Sequence, residues 1–197
     1  MARLPRLFAL IAIGVFLSAC GVNEIPKLDE EVNAAWSQVE NQYQRRADLI
    51  PNLVETVKGY AAQERETLTA VTEARAQATQ LKIPADILTN RAALDRFEQL
   101  QSTMTSALSR LLAVSERYPE LKSNQNFLSL QSQLEGTENR ITIARRDYNQ
   151  AVQAYNTRIR TFPDAVGAKI FYGAKPMVPF QATTPGADTA PTVNFGG

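Results

Sequence analysis

Tyr43-Gln44-Arg45-Arg46-Ala47-Asp48-Leu49-Ile50-Pro51-Asn52-Leu53-Val54-Glu55-Thr56-Val57-Lys58-Gly59-Tyr60 is the stretch that decides how this chain folds. It sets a paired arginine, an acid and a proline inside an otherwise amphipathic helical pattern. Upstream, Leu28, Val32, Ala35 and Val39 recur with three-four spacing and Trp36 lies beside them, the mark of a helix with one apolar face. Pro51 has no N–H, and its ring crowds the carbonyl of residue 47, so the helix is expected to kink or restart there. The seam resumes at Leu53, Val57 and Tyr60. It continues through Leu68, Val71, Ala74, Ala78 and Leu81, closing at Pro84 with Lys82 where a cation suits a helix C-terminus.

Two further helical segments follow. The second runs from Pro84 to Tyr118, with Ile87, Leu94, Phe97, Met104, Leu108 and Leu111 on its apolar face. The third, from Pro119 to Phe162, is the most regular. Leu134, Ile141, Tyr148, Tyr155 and Phe162 fall on one heptad position, and Val152 and Ile159 share the intervening seam. Glu138 and Arg145 interrupt that seam and read as solvated or snorkelling neighbours rather than as a buried ionic site. At 1.5 Å per residue this segment spans roughly 60 Å, so the molecule is expected to be a rod. Gly136 lowers helix propensity without ending the helix. Residues 164–180 are too apolar for a free tail and are expected to pack along the bundle, partly as a short helix. Residues 181–197, rich in Ala, Thr, Pro and Gly, are expected to be disordered.

The chain has 197 residues, with 21 Lys and Arg against 20 Asp and Glu. That balance offers no basic face for nucleic acid, and no nucleic-acid partner is expected. There is no histidine, which removes imidazole bases, His-containing nucleophilic triads and His-ligated metals. The single cysteine, Cys20, excludes an intramolecular disulfide and a thiolate cluster. No metal or cofactor is expected, and only carboxylates, Lys, Tyr and hydroxyls remain for catalysis.

Arg3 and Arg6 precede an apolar run, Leu7 to Phe16, followed by Leu17-Ser18-Ala19-Cys20-Gly21. A basic start, a hydrophobic segment and small residues before a cut form a secretory signal over residues 1–19. Leu-Ser-Ala-Cys resembles the lipobox of bacterial lipoproteins, in which the cysteine is acylated and becomes the first mature residue. Residues 20–27 would then be a lipidated tether. The uncharged stretch Leu7–Asn23 also allows a short uncut membrane span, and Arg3 and Arg6 on its inner side would export the rest. Either way the chain beyond residue 24 lies outside the cytoplasm. Gly21 in place of an aspartate favours the outer membrane in a Gram-negative envelope.

Ala35-Trp36-Ser37-Gln38-Val39, Arg45-Arg46-Ala47-Asp48-Leu49-Ile50-Pro51-Asn52-Leu53-Val54, Gly59-Tyr60…Glu64…Leu68…Val71…Ala74-Arg75 and Phe162-Pro163…Ala168…Phe171-Tyr172-Gly173…Phe180 together resemble the LemA family of bacterial proteins. The resemblance covers residues 28–180. It implies an all-α fold, an elongated antiparallel bundle of long helices attached to a membrane, without established catalysis. One class of members acts in magnetosome formation, a role to which nothing in this sequence points. Two departures stand out. Many members have a histidine before the glutamate at Glu64, where this chain has Gln63, and many have an uncut N-terminal transmembrane helix.

Arg45, Arg46, Asp48, Asn52 and Glu55 are the candidate interaction patch. The plainer reading is that Asp48 or Asn52 repairs the backbone around Pro51 while the arginines pair with acids on a neighbouring helix. Trp36, Tyr148 and Tyr155 read as core. The expected function is a membrane-anchored scaffold or adaptor of the bacterial envelope, held by lipid on Cys20 and recruiting envelope proteins. The alternative is a carboxylate-dependent enzyme or enzyme subunit acting on envelope polymers through Asp48, Glu55 and Glu64. A helical ligand carrier is a third class, for which the pattern shows no cavity.

Overall fold

A computed structural model describes residues 23–181. Cys20, the signal expected over residues 1–19 and the tail beyond residue 181 lie outside the described residues. Within them the chain is helical: α1 (Glu24–Lys58), α2 (Arg65–Gln80), α3 (Arg91–Val114), a 3-10 turn (Ser115–Arg117), α4 (Pro119–Lys122), α5 (Gln125–Arg158) and α6 (Asp164–Phe171). No strand occurs among the described residues.

Helix α1 begins at Glu24, so four of the eight residues expected as a tether are already helical, and Pro26 sits in the first turn where a missing N–H costs little. The helix does not restart at Pro51. It runs through the proline and stops at Gly59, so the break falls eight residues later than expected. The carbonyl that Pro51 orphans, that of Ala47, is taken by the Arg75 Nε of α2 at 2.8 Å. A donor from another helix therefore replaces the missing backbone N–H, and the helix survives its proline. Tyr60 and Ala61 close the break by donating to the Val57 carbonyl at 3.0 and 2.8 Å.

The second and third segments are also divided more finely than expected. Residues 85–89 are turns, and Asn90 caps α3 by accepting from the Ala93 amide. Asn124 caps α5 in the same way, accepting from Phe127 at 3.0 Å. Gly136 lies inside α5 without interrupting it.

Helices α1 and α5, of 35 and 34 residues and each about 50 Å long, form the principal antiparallel pair. Trp36 meets Tyr148 with ring centroids 5.6 Å apart, and Arg46 meets Glu138 at 2.7 Å. With α3 they make three long rods. The fourth position is shared. Helix α2 covers the half built on Ile50, Leu53 and Val57. The C-terminal segment covers the other half, built on Val32, Trp36 and Val39.

That C-terminal segment is a strap. Gly173 takes φ 54°, a conformation suited to glycine, and Ala174 donates back to the Ala168 carbonyl at 3.0 Å, turning the chain out of α6. Residues 174–181 then run extended along α5. Asn156 clamps Met177 and Asn149 clamps Phe180, each asparagine accepting from the backbone N–H and donating to the carbonyl of the same residue. Val178 donates to the Leu88 carbonyl at 2.8 Å, where the strap takes over from α2. Phe180 enters an aromatic cluster with Trp36 and Tyr148, at 5.9 and 5.1 Å. Trp36 and both tyrosines are core, as expected.

Candidate functional site

The apolar core is in two parts. One ends at Tyr43, Phe97 and Ile141 and the other begins at Ile50, Met104 and Leu134. Between them lies a polar layer centred on Arg46, whose side chain is 1% exposed. Its Nη1 donates to Glu138 Oε1 at 2.7 Å and to Thr105 Oγ1 at 2.8 Å. Nη2 donates to Gln101 Oε1 at 2.7 Å and to the Gln101 carbonyl at 3.2 Å. The guanidinium also lies 5.1 Å from the Tyr43 ring centroid, in cation–π range. One side chain of α1 thus binds α3 and α5 together, and only its Nε lacks a partner.

A turn away, Arg145 pairs with Glu98 of α3, donates to the Gln181 carbonyl at 3.1 Å, and covers the Phe180 ring at 4.5 Å. Glu138 and Arg145 are therefore ionic partners at helix interfaces, and the expectation that they are merely solvated neighbours is corrected. They sit on the inward edge of α5, where guanidinium and carboxylate neutralise each other across the seam. Burial pushes the Glu98 carboxyl above its ordinary value, against the opposing pull of Arg145 and Arg91. Burial likewise pushes the Tyr43 hydroxyl up, and Arg145 and Arg46 pull it back. These groups line a cleft of about 200 Å³. It is lined by two arginines, Arg46 and Arg145. Each carboxylate is already engaged by one of them. The chemistry available is hydrogen bonding and charge pairing between helices.

The sequence-predicted patch divides. Arg46 is buried and leaves it, whereas Arg45, Asp48, Asn52 and Glu55 are exposed on the opposite face of α1. Their spacing of three, four and three residues makes one polar stripe along the continuous helix. Asp48 accepts from Gln44 at 2.7 Å, and Asn52 contributes its carbonyl to Thr56 at 2.8 Å. Neither repairs Pro51; Arg75 does, and the expected role of Asp48 or Asn52 is corrected accordingly. Arg75 was visible in the Ala74-Arg75 pair but nothing local revealed its target.

The three carboxylates of the enzymatic alternative do not converge. Asp48 and Glu55 are separated by about 10 Å along the helix axis. Glu64 lies in the turn before α2, where Oε1 accepts from the Tyr118 hydroxyl and Oε2 pairs with Arg117, both at 2.9 Å. Gln63 donates to the same hydroxyl at 2.9 Å. This cluster ties the α1–α2 turn to the segment before α4.

The profile of the LemA family matches residues 35–195, which include the Arg45–Val54 stretch, the polar layer and the strap. The chain belongs to the LemA family. It is 25% identical over 158 residues to Protein LemA of Metamycoplasma hominis, covering 79% of this chain and 68% of that protein. It is 27% identical over 161 residues to magnetosome protein MamQ 2 of Paramagnetospirillum magneticum, and 24% identical over 161 residues to MamQ of Magnetospirillum gryphiswaldense. Those alignments cover 72% of this chain and 58% of each MamQ protein, so the chain spans less than two thirds of the magnetosome relatives it matches. The family match places the fold among LemA proteins and runs past Phe180 to residue 195.

Proposed function

We propose that this LemA-family chain is a lipid-anchored helical scaffold of the bacterial envelope, presenting the α1 stripe to envelope proteins. The observation that carries this reading is the division of the central motif. Arg46 is spent inside the bundle and the Ala47 carbonyl is tied to Arg75, while Arg45, Asp48, Asn52 and Glu55 project from a helix held rigid by both. A rigid helix bearing fixed charges of both signs suits recognition of a polar protein surface. The lone cysteine after Leu17-Ser18-Ala19 supplies the anchor. Among the described residues no helix is long and apolar enough to cross a membrane.

Two measurements test it. Intact mass of the N-terminal fragment from membranes should show an acylated Cys20; an unmodified start near Met1 would replace the lipid with an uncut span. Photo-crosslinking probes at Arg45 and Asp48 in living cells should capture the same protein partner, and a probe at exposed Gln153 on α5 should not. Equal capture from all three positions, or none with expression intact, removes the stripe from the proposal.

A further inference from the structure

Nine large hydrophobic side chains are conspicuously exposed among the described residues, and five fall between residues 162 and 172. Phe162, Phe171, Ile170 and Val166 are 81, 71, 69 and 51% exposed, more than any outside this segment. They are contributed by one short helix and its approach. Asp164, Gly167 and Ala168 face inward, with Asp164 paired to Arg158 at 2.9 Å, so Val166 and Ile170 are left on the outer face. Single exposed apolar residues need no explanation, but a cluster at one end of a rod does.

The register of α1 against α5 fixes which end this is. Trp36 is matched with Tyr148 and Arg46 with Glu138. At the start of α1, Ile25 is buried in the same core as Ile159 and Ala168, so Glu24 lies at the end of the bundle that carries the apolar cluster. Cys20 is four residues before Glu24, and four residues reach at most about 14 Å. An anchor at Cys20, or an uncut span ending there, therefore holds this end of the bundle at the bilayer. The charge around the cluster fits. Arg160, Lys169 and Lys175 are exposed, and the sole acid between residues 158 and 176 is the buried, paired Asp164. At the start of α1, Glu24 is paired with Lys27 at 3.6 Å. Cationic side chains around apolar ones are the composition of a helix lying in a membrane interface.

We propose that the α6 end of the bundle is a membrane-docking face, with Phe162, Val166, Ile170 and Phe171 inserted among the lipids and Arg160, Lys169 and Lys175 on anionic headgroups. The proposal rests on the N-terminal anchor described above, which brings this end to the bilayer. The anchor and the docking face would together stand the rod up from the membrane and keep the α1 stripe clear of it.

The test is the full-length protein, purified from membranes and reconstituted in vesicles of phosphatidylcholine and phosphatidylglycerol whose acyl chains carry bromine. Trp36 is 6% exposed and about 18 Å from the start of α1, so the unmodified protein should keep its emission. A Phe171→Trp variant should lose most of its added emission to the bromines. Adding Ile170→Asp should restore that emission while the protein still floats with the vesicles. A Phe171→Trp protein that floats but is not quenched overturns the docking face and leaves the anchor standing. The same result with a doubled mass in solution would assign the face to a second copy of the chain. Failure to float overturns both anchor and docking.

Discussion

Replacing Glu138 by Gln should cost more than its half-exposed position suggests. Its partner Arg46 is 1% exposed while Glu138 itself is 42% exposed. A surface pair contributes about 0–1 kcal/mol. Removing one member of a buried pair costs about 3–5 kcal/mol, because the other charge is left uncompensated. Water reaching position 138 and the amide oxygen of Gln discount this to about 2 kcal/mol for Glu138→Gln. Arg46→Met removes the buried charge itself and leaves the 6%-exposed Gln101 to find a new donor. That costs about 1–2 kcal/mol. The double variant has no orphan charge, so it should be no less stable than Arg46→Met alone, with a coupling of about 2 kcal/mol. Thermal unfolding of the detergent-solubilised full-length protein, followed by far-UV circular dichroism, would read about 4–8 °C for Glu138→Gln. If the Glu138→Gln loss persists undiminished beside Arg46→Met, the polar layer is not an ionic unit and the reasoning fails.

Arg75→Ala should destabilise by about 1–2 kcal/mol by stranding the Ala47 carbonyl, and Pro51→Ala should abolish that loss by restoring a backbone donor; equal losses in both backgrounds would assign Arg75 another role. Asn149→Ala with Asn156→Ala should release the strap, seen as fast amide exchange at Met177 and Phe180 while α1 and α5 stay protected; unchanged protection would show that Phe180 packing alone holds it. Burial holds the Glu98 carboxyl above its ordinary 4.5, so the stability tied to it is complete below 4.5 and lost as pH rises through the higher folded value. The stability of the parent minus that of Glu98→Gln should therefore fall across this window in pH-dependent unfolding, and a rise would reverse the assigned sign.

Much of this architecture was legible locally. Period alone located all the long helical stretches, because a rod of this kind must bury one stripe per helix and has no other means of hiding it. The polar layer also left a trace. Arg46 stands between Tyr43 and Ile50, Gln101 between Phe97 and Met104, and Thr137 between Leu134 and Ile141, each at a heptad position otherwise apolar. One polar intrusion reads as a snorkelling side chain; three at matching heights are a layer, but matching heights presuppose the register.

Register is what the tertiary structure decided. The sequence by itself determined helices, their apolar faces, the lone Cys20 and the family motif, since these follow from neighbours in the chain. It did not determine that Pro51 leaves α1 unbroken, because the repairing donor is Arg75, 28 residues away. Nor did it determine which motif residues face solvent or which helices Arg46 joins. Those outcomes depend on side chains meeting across separate helices, where a partner's position, and not its spacing, sets the energy.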